Sequence, residues 1–389
     1  MSFDWDSTLR GDLTALKPSG IRKFFDLVDN MKGVVALTVG QPDFVTPWHI
    51  RDSAIYSLEQ GKTYYTSNAG LPALRRGISE YLTRRFGLER YSDDEIIVTV
   101  GGSEAIDLCI RATVRPGDEV IIPLPCFVCY APLVKLAGGT PVFIETREED
   151  EFKLKARDLK EKMSDRTRLV VLPYPANPTG AVMDKNDLEE IAEVIRSSNA
   201  FVLSDEIYAE LTYGGRHVSV SSLPGMRERT VIASGFSKAY AMTGWRLGYI
   251  AAPEKAAKQM LKLHQYAIMC APTQSQFAAL EAINNGDGDI DYMREEYDMR
   301  RKLIVNGLRE LGFPCFEPKG AFYVYPNISG FGLDAEKFCE KLLYEASVAI
   351  VPGTAFADNA RDFARISYAY STAHITEALE RIAKWKSGL

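Results

Sequence analysis

The residues with the clearest capacity for chemistry lie around Lys238. Ser237 directly precedes this lysine, and Arg246 follows it eight positions later. Most isolated lysines are solvated surface groups, but two apolar runs, residues 230–233 and 247–251, flank Lys238 and predict buried strands. Burial lowers the pKa of a lysine and makes its amine nucleophilic. A buried amine beside a hydroxyl and an arginine suits a pyridoxal 5′-phosphate (PLP) site, in which Lys238 bonds the aldehyde and Ser237 and Arg246 hold the phosphate.

A carboxylate, Asp205, ends the apolar run of residues 201–205. A side chain at the carboxyl end of a buried parallel strand faces the crevice where ligands bind. There Asp205 can pair with the protonated pyridine nitrogen of PLP, which keeps the ring able to accept electrons from a substrate carbanion. An ordinary helix N-cap is the alternative use of this aspartate.

Gly102, Ser103 and Glu104 follow a predicted strand, residues 96–100, and open a predicted helix. Backbone N–H groups and the helix dipole at such a start bind anions. The spacing matches neither the lysine-containing phosphate loop nor the dinucleotide-binding glycine pattern, and a plain strand-to-helix turn is the alternative. With the hydroxyl and guanidinium around Lys238 as further contacts, the segment predicts a site for the PLP phosphate.

An arginine, Arg365, interrupts the apolar run of residues 363–368. Burying a guanidinium without an anion costs free energy. Its planar fork of N–H donors matches a carboxylate. The position of Arg365 therefore predicts a carboxylate ligand.

Taken in order, these segments resemble the motifs of class I/II aminotransferases of PLP fold type I, and the resemblance covers nearly the whole chain. It implies that Tyr208, three residues after Asp205, hydrogen-bonds the phenolic oxygen of the PLP ring. Asn177, in a proline-rich turn, would contact the same oxygen beside the substrate, and Arg365 would bind the substrate α-carboxylate. The implied catalytic residues are Lys238, Asp205 and Tyr208.

Three further positions match residues of the family. Phe127 corresponds to an aromatic ring that stacks on the face of PLP, although a core phenylalanine is an equal alternative. Gly40 corresponds to a loop that lines the substrate pocket, and Tyr65 to a tyrosine that reaches the phosphate in the neighbouring subunit of a homodimer. Gly235 departs from the pattern, because many relatives carry a phosphate-binding serine there.

The resemblance implies an aminotransferase that moves the α-amino group of an amino acid to a 2-oxo acid such as 2-oxoglutarate. Lys238, freed by the substrate amine, would act as general base in a ping-pong cycle between PLP and pyridoxamine phosphate. A carbon–sulfur β-lyase and a non-catalytic PLP-binding regulator are the alternatives. Similar enzymes use aspartate, aromatic amino acids or N-acetyl-diaminopimelate, and residues 18–22 lie where relatives close over the substrate. Aromatic or acidic donors are favoured, the aromatic ones by Tyr64, Phe127, Phe322 and Tyr323.

Composition narrows the class of protein. The chain has 389 residues, a net charge of −6 and no long basic run, which argues against a nucleic-acid partner. No apolar run approaches the ~20 residues of a membrane span, and residues 1–6 lack the features of a signal peptide. Six cysteines without a secretion signal predict reduced thiols in the cytoplasm. Cys126 and Cys129 form a lone C-x-x-C pair and the four histidines are scattered, so we expect no metal site.

Helical patterns alternate with short apolar runs from about residue 48 to 285, which predicts an α/β fold with a mostly parallel seven-stranded sheet flanked by helices. The expected strands are residues 96–100, 119–123, 141–144, 169–173, 201–205, 230–234 and 247–251. The remainder predicts a smaller α+β domain with helices at 290–311, 334–345 and 372–386 and strands at 321–325, 348–351 and 364–370. We expect an N-terminal arm (1–18), a small domain (19–47 and 286–389) and a large PLP-binding domain (48–285).

Overall fold

The computed structural model describes residues 3–16 and 31–388. The expectation for residues 18–22, and the first part of the expected small domain, fall outside the described residues. The described N-terminal residues form two short helices, α1 (Trp5–Thr8) and α2 (Gly11–Thr14), and a strand, β1 (Val35–Ala36).

Within the described residues, seven strands form the central sheet. They are β2 (Ile96–Thr99), β3 (Glu119–Leu124), β4 (Thr140–Glu145), β5 (Thr167–Leu172), β6 (Phe201–Asp205), β7 (Thr230–Gly235) and β8 (Gly248–Ala251). The helices around them are α3 (Trp48–Glu59), α4 (Pro72–Phe86), α5 (Gly101–Thr113), α6 (Tyr130–Leu136), α7 (Ala156–Lys162), α8 (Lys185–Arg196), α9 (Glu254–Ala267) and α10 (Thr273–Asn285).

The strand order is β2-β8-β7-β6-β5-β3-β4, and β8 alone among these seven described strands runs antiparallel to its neighbours. The prediction of a mostly parallel seven-stranded sheet is therefore confirmed, with strand bounds within two residues of those expected. Residues on β7 show why the sequence folds this way. Val231 and Ala233 pack on one face of the sheet and Ile232 on the other, so the middle of the strand is apolar on both faces.

Helix α8 illustrates how local sequence defines the flanking helices. Asp184 caps its N-terminus by accepting hydrogen bonds from the backbone amides of the next turn. Leu188, Ile191, Ala192 and Ile195 then follow at helical spacing and are buried. The apolar spacing thus accounts for the buried face of the helix, and the cap accounts for where the helix begins.

The C-terminal part contains α11 (Asp287–Glu310), β9 (Tyr323–Val324), α12 (Ala335–Ala346), β10 (Val348–Ala349), β11 (Val351–Pro352), β12 (Ala364–Ser367) and α13 (Thr372–Ser387). Strands β11, β12 and β9 form an antiparallel sheet, while β10 pairs with β1 in parallel. The N-terminal strand thus packs with the C-terminal part, although the domain boundaries themselves stay predictions.

Three expected strands of this part need correction. The expected strand at residues 364–370 ends at Ser367. The expected strand at residues 348–351 is two short strands, because Val348 pairs with β1 and Val351 with β12. The expected strand at residues 321–325 retains only two residues, because Ala321 has a φ of +57° and leaves extended geometry.

Three further observations concern the whole described chain. No helix in residues 3–16 or 31–388 is long and apolar enough to cross a membrane. The same residues contain no group of three or more His, Cys, Asp or Glu side chains that could hold a metal ion. All six cysteines are free thiols.

Candidate active site

A cavity of about 350 Å³ opens where β5, β6 and β7 end, beside the N-terminus of α5. Parallel register brings these strand ends together, since Asp205 at the end of β6 pairs with Ala233 on β7. The carboxyl edge of a parallel sheet is the expected place for a ligand. The lining residues are Val39, Gly40, Gln41, Gly102, Ser103, Ile106, Phe127, Tyr130, Pro173, Pro175, Asn177, Asp205, Ile207, Tyr208, Ser237, Lys238, Thr243, Arg246, Tyr323 and Arg365.

Lys238 follows β7 and projects into this cavity. Its Nζ donates a hydrogen bond of 2.6 Å to the backbone carbonyl of Gly40. Burial, together with the positive charges of Arg365 and Arg246, lowers the pKa of Lys238 to about 8. The neutral amine is therefore far more populated near neutral pH than for a solvated lysine, and it is a candidate nucleophile and base.

Asp205 is buried, and its carboxylate is held from two sides. The Tyr130 hydroxyl donates to Oδ2 at 2.6 Å, and the amide of Ile207 donates to Oδ1 at 3.2 Å. Burial raises the pKa of Asp205, and these two hydrogen bonds only partly oppose that rise. A carboxylate in this state is stabilised by a cationic partner in the cavity.

The N-terminus of α5 forms one wall of the cavity. The helix starts at Gly101, and its N-cap residue supplies no side-chain hydrogen bond. The first N–H groups of a helix have no partner within the helix, so those near Gly102 and Ser103 can bind an anion. Ser237 and Arg246 line the same cavity, so these four predicted phosphate contacts lie around one space.

Close packing explains the glycines around this anion site. Gly101 has a φ of +75°, and a Cβ there would lie 2.6 Å from Nη2 of Arg246. A Cβ at Gly248 would lie 2.5 Å from the carbonyl carbon of Gly101. At Gly235, a Cβ would approach the backbone of Gly248 to 2.9 Å, so the serine of many relatives has no room here.

Arg365, on β12, supplies a buried guanidinium on another side of the cavity. Its Nη1 donates to the amide oxygen of Asn177 at 2.9 Å, and its Nη2 donates to the carbonyl of Thr38 at 2.6 Å. Nε is buried and has no hydrogen-bond partner among the described residues. Burial lowers the pKa of Arg365. A buried cation with only neutral partners can accommodate an incoming carboxylate.

Tyr323 lies against both Tyr208 and Gly40. The sequence indicated no chemical role for Tyr323 in the site. The Tyr208 and Tyr323 hydroxyls are 2.7 Å apart. A Cβ at Gly40 would lie 2.0 Å from the Tyr323 hydroxyl oxygen, so a glycine is required for this contact. Burial raises the pKa of Tyr208 well above its usual range, which keeps it a neutral hydrogen-bond donor.

The other predicted residues differ in whether they line the cavity. Phe127 lines the cavity, edge-on to Tyr130. Glu104 does not line it; its carboxylate instead bonds the backbone and a histidine behind α5. Tyr65 is 76% exposed and lies outside the cavity lining, so its predicted contact with a neighbouring subunit stays a prediction.

Sequence reasoning missed Tyr130 and Thr38 as site residues. Tyr130 is the first residue of α6 and Phe127 lies in the loop before it, so helical spacing gives no signal that the two share a site. Thr38 contributes only its backbone carbonyl, for which the residue type gives no signal. Val39, Gln41 and Ile106 also line the cavity, and nothing in their types distinguishes them from core or loop residues.

The mostly parallel sheet, with a lysine, an aspartate and an arginine lining one cavity at its carboxyl edge, has the arrangement of an α/β enzyme. The family model for "Aminotransferase class I and II" matches residues 32–382. The chain therefore belongs to the class I and II aminotransferases, which are transferases.

Individual relatives are similar to this chain over 95% or more of its length. YugH of Bacillus subtilis (strain 168), named for a proposed aminotransferase activity, is 52% identical over 95% of this chain and 96% of its own. Aromatic-amino-acid aminotransferase 2 of Thermococcus litoralis is 41% identical over 96% of both chains. The solved structure of aspartate aminotransferase from Thermus thermophilus with maleate has a TM-score of 0.93 at 38% identity, covering 97% of this chain and 99% of that one.

Proposed function

We propose that this chain is a PLP-dependent aminotransferase that moves the α-amino group of an amino acid to a 2-oxo acid such as 2-oxoglutarate. The observation that carries the proposal is the convergence of Lys238, Asp205 and Arg365 on one cavity, beside the uncapped start of α5. Family membership supports the reaction type. The geometry of the cavity supports the roles of Lys238, Asp205 and Arg365, and family resemblance implies those of Tyr208, Asn177 and Phe127.

The lining fits PLP in three respects. The N–H groups near Gly102 and Ser103, with Ser237 and Arg246, offer donors and a positive charge for a phosphate dianion. Asp205 offers a buried anion for a cationic ring nitrogen. When bound, PLP supplies an aldehyde for amines and a ring that withdraws electrons from the substrate Cα.

Lys238 would attach to the aldehyde and later work as a base. Its lowered pKa, about 8, leaves an amine that can take a proton near neutral pH. We infer that this amine moves the proton at the substrate Cα. Tyr208 and Asn177 would hold the phenolic oxygen of the ring, and Phe127 would cover one ring face.

Arg365 would bind the substrate α-carboxylate, since its neutral partners leave its charge uncompensated. An amino acid and a 2-oxo acid both carry that carboxylate, so both fit the same site. Use of one site in turn gives ping-pong kinetics.

Aromatic or acidic amino acids are the proposed donors, in line with the names of the Thermococcus and Thermus relatives. Among the described lining residues the cations are Lys238, Arg246 and Arg365. Each already has a proposed role: Lys238 bonds the aldehyde, Arg246 binds the phosphate, and Arg365 binds the substrate α-carboxylate. A second carboxylate, whether on an acidic donor or on 2-oxoglutarate, would need a cation from outside that lining, whereas an aromatic donor would not.

We further propose a homodimer in the cytoplasm. Apolar side chains stay exposed on α3 and in the loop that follows it, which suits a subunit interface. They are Trp48, Ile55, Tyr56, Leu58, Tyr64 and Tyr65. Native mass spectrometry of the full chain should give twice the monomer mass, and a monomer at micromolar concentration would contradict the dimer.

Reductive labelling tests the proposed function directly. The protein, incubated with PLP and reduced with borohydride, should carry the label on the peptide that contains Lys238. Lys319, an exposed lysine paired with Glu151, is the internal control and should stay unlabelled. A separate sample of the PLP-loaded protein that has not been reduced, incubated with amino acids and 2-oxoglutarate, should yield glutamate, whereas pyruvate and ammonia would indicate a β-lyase. A label on a different lysine would overturn the assignment.

A further inference from the structure

Glu104 lies in the first turn of α5, yet its side chain turns away from the cavity. Its Oε2 accepts a hydrogen bond of 2.5 Å from the backbone N–H of Val100, the residue at the N-cap position. The carboxylate thus ties the first turn of the helix to the end of β2. This contact fixes the segment that presents the N–H groups near Gly102 and Ser103.

His264, on α9, holds the other oxygen of that carboxylate. Its Nδ1 lies 2.7 Å from Oε1 of Glu104, and its side chain is fully buried. Nε2 is buried and has no hydrogen-bond partner among the described residues. A proton on Nε2 would therefore be unsatisfied, so the neutral ring carries its proton on Nδ1 and donates it to Glu104.

The arrangement is unusual for a helix start that faces a phosphate. A free carboxylate in the first turn would compete with the phosphate for the N–H groups and repel it at short range. The hydrogen bond from His264 keeps the carboxylate on the far side of the turn, against Val100. Glu104 can then stiffen the turn without occupying the anion site.

We propose that Glu104 and His264 form a positioning pair for the phosphate end of the cofactor site. The pair acts through the backbone of α5 and touches neither the cofactor nor the substrate. This inference rests on the proposed function, because it assumes that the anion at α5 is the phosphate of PLP.

Pyridoxal has the same ring and aldehyde as PLP but no phosphate. A comparison of the affinities for the two compounds therefore isolates the effect of the pair on phosphate binding. His264→Leu removes the donor at similar volume, whereas the side-chain amide of His264→Asn can donate from nearly the position of Nδ1. The equilibrium affinity of the cofactor-free protein for both compounds is measured by absorbance titration. His264→Leu should bind PLP about tenfold more weakly, because the released carboxylate would compete with the phosphate for the helix N–H groups, with pyridoxal affinity unchanged. His264→Asn should recover most of the PLP affinity.

A matched control comes from another histidine–glutamate contact. His49 Nδ1 lies 2.8 Å from Oε1 of Glu281, away from the cavity lining. His49→Leu should change the affinity for neither compound. Thermal melting of each cofactor-free variant verifies that it is folded.

The outcomes separate the pair from the proposed function. Equal loss of PLP and pyridoxal affinity in His264→Leu would mean a general structural defect and would overturn the inference. Unchanged PLP affinity would also overturn it. If the unmodified protein bound neither compound, the proposed function itself would fail.

Discussion

Two clusters of buried charge lie side by side at the end of β6. One surrounds Glu206, whose carboxylate accepts hydrogen bonds from Ser204 at 2.7 Å and Ser219 at 2.5 Å. His217 Nε2 lies 3.3 Å from its other oxygen. Burial alone would raise the pKa of Glu206, but the charge of His217 and these hydrogen bonds outweigh burial and lower it. The Glu206 carboxylate therefore has its partners within the fold, although the ring nitrogens of His217 make no hydrogen bond among the described residues.

The second cluster lines the cavity and does not satisfy its own charges. The hydrogen-bond partners of Lys238, Asp205 and Arg365 among the described residues are neutral groups: a hydroxyl, backbone groups and an amide. Burial shifts the pKa of each of these three residues toward its neutral form. Neighbouring carboxylates in one sequence, Asp205 and Glu206, thus have opposite pKa shifts.

The difference teaches which buried charges indicate function. A charge with complete internal partners stabilises the fold, whereas buried charges with neutral partners have their complement in a ligand. Burial alone does not distinguish the clusters, because both Asp205 and Glu206 are below one-tenth exposed. The hydrogen-bond and ionic partners of each charged group do distinguish the two clusters. Each variant below changes one member of a cluster.

The largest effect is expected for Lys238→Ala. Turnover should fall more than about 1,000-fold, because the nucleophile and the general base are lost together. Binding of PLP should persist through the phosphate contacts, which equilibrium dialysis can measure. A small primary amine added to the variant should restore part of the activity. Turnover close to that of the unmodified protein would remove Lys238 from the chemistry.

Asp205→Asn should lower turnover by roughly 100-fold or more, which is typical of removing one electrostatic contact to the developing charge. The amide keeps the shape and can still accept from Tyr130, but it has no charge for the ring nitrogen. Asp205→Glu should retain more activity than Asp205→Asn. Unfolding by denaturant should be nearly unchanged, and steady-state kinetics with saturating PLP measures the loss. Normal turnover would make Asp205 a structural residue.

Arg365→Lys should lower kcat/KM for α-amino acids by roughly 10- to 100-fold, because lysine cannot reproduce the paired N–H donors. Amines without a carboxylate should lose much less. The ratio of the two substrate types, measured by stopped-flow half-reactions, is the readout. A similar loss for both types would indicate that Arg365 only supports the loop at Thr38.

The sequence was sufficient for the sheet and for the charged residues of the cavity. Strands such as β5 contain a continuous apolar run, here residues 169–172, which local pattern reveals, and strand ends locate Asp205 and Lys238. The register that joins Asn177 to Arg365, 188 positions apart, is not a local property. Their proximity was expected from family resemblance alone.

What the sequence did not reveal is how each charge is supported. Tyr130 is 75 positions from Asp205, and His264 is 160 positions from Glu104. Tyrosine and histidine in apolar helical patterns are consistent with ordinary core packing, so neither type signals a partner. Similarly, the bounds of short strands such as β10 and β11 could not be predicted from residue propensity. They are set by the partner strand with which each pairs, β1 for β10 and β12 for β11.

The smallest effect on turnover is expected for Glu206→Gln, the same chemical change as Asp205→Asn one position along the chain. Turnover per folded molecule should stay unchanged, because Glu206 does not line the cavity. The free energy of unfolding should fall by about 1.5–3 kcal/mol, the range for hydrogen bonds to a charged group.

Because the folded state lowers the pKa of Glu206 below its ordinary value of 4.5, its stabilisation is present above pH 4.5 and is lost as the pH falls through the folded pKa. The stability difference between the two proteins, measured by urea unfolding from pH 7 downward, should therefore shrink in acid. A loss of turnover as large as that of Asp205→Asn, with stability unchanged, would contradict the distinction between the two clusters.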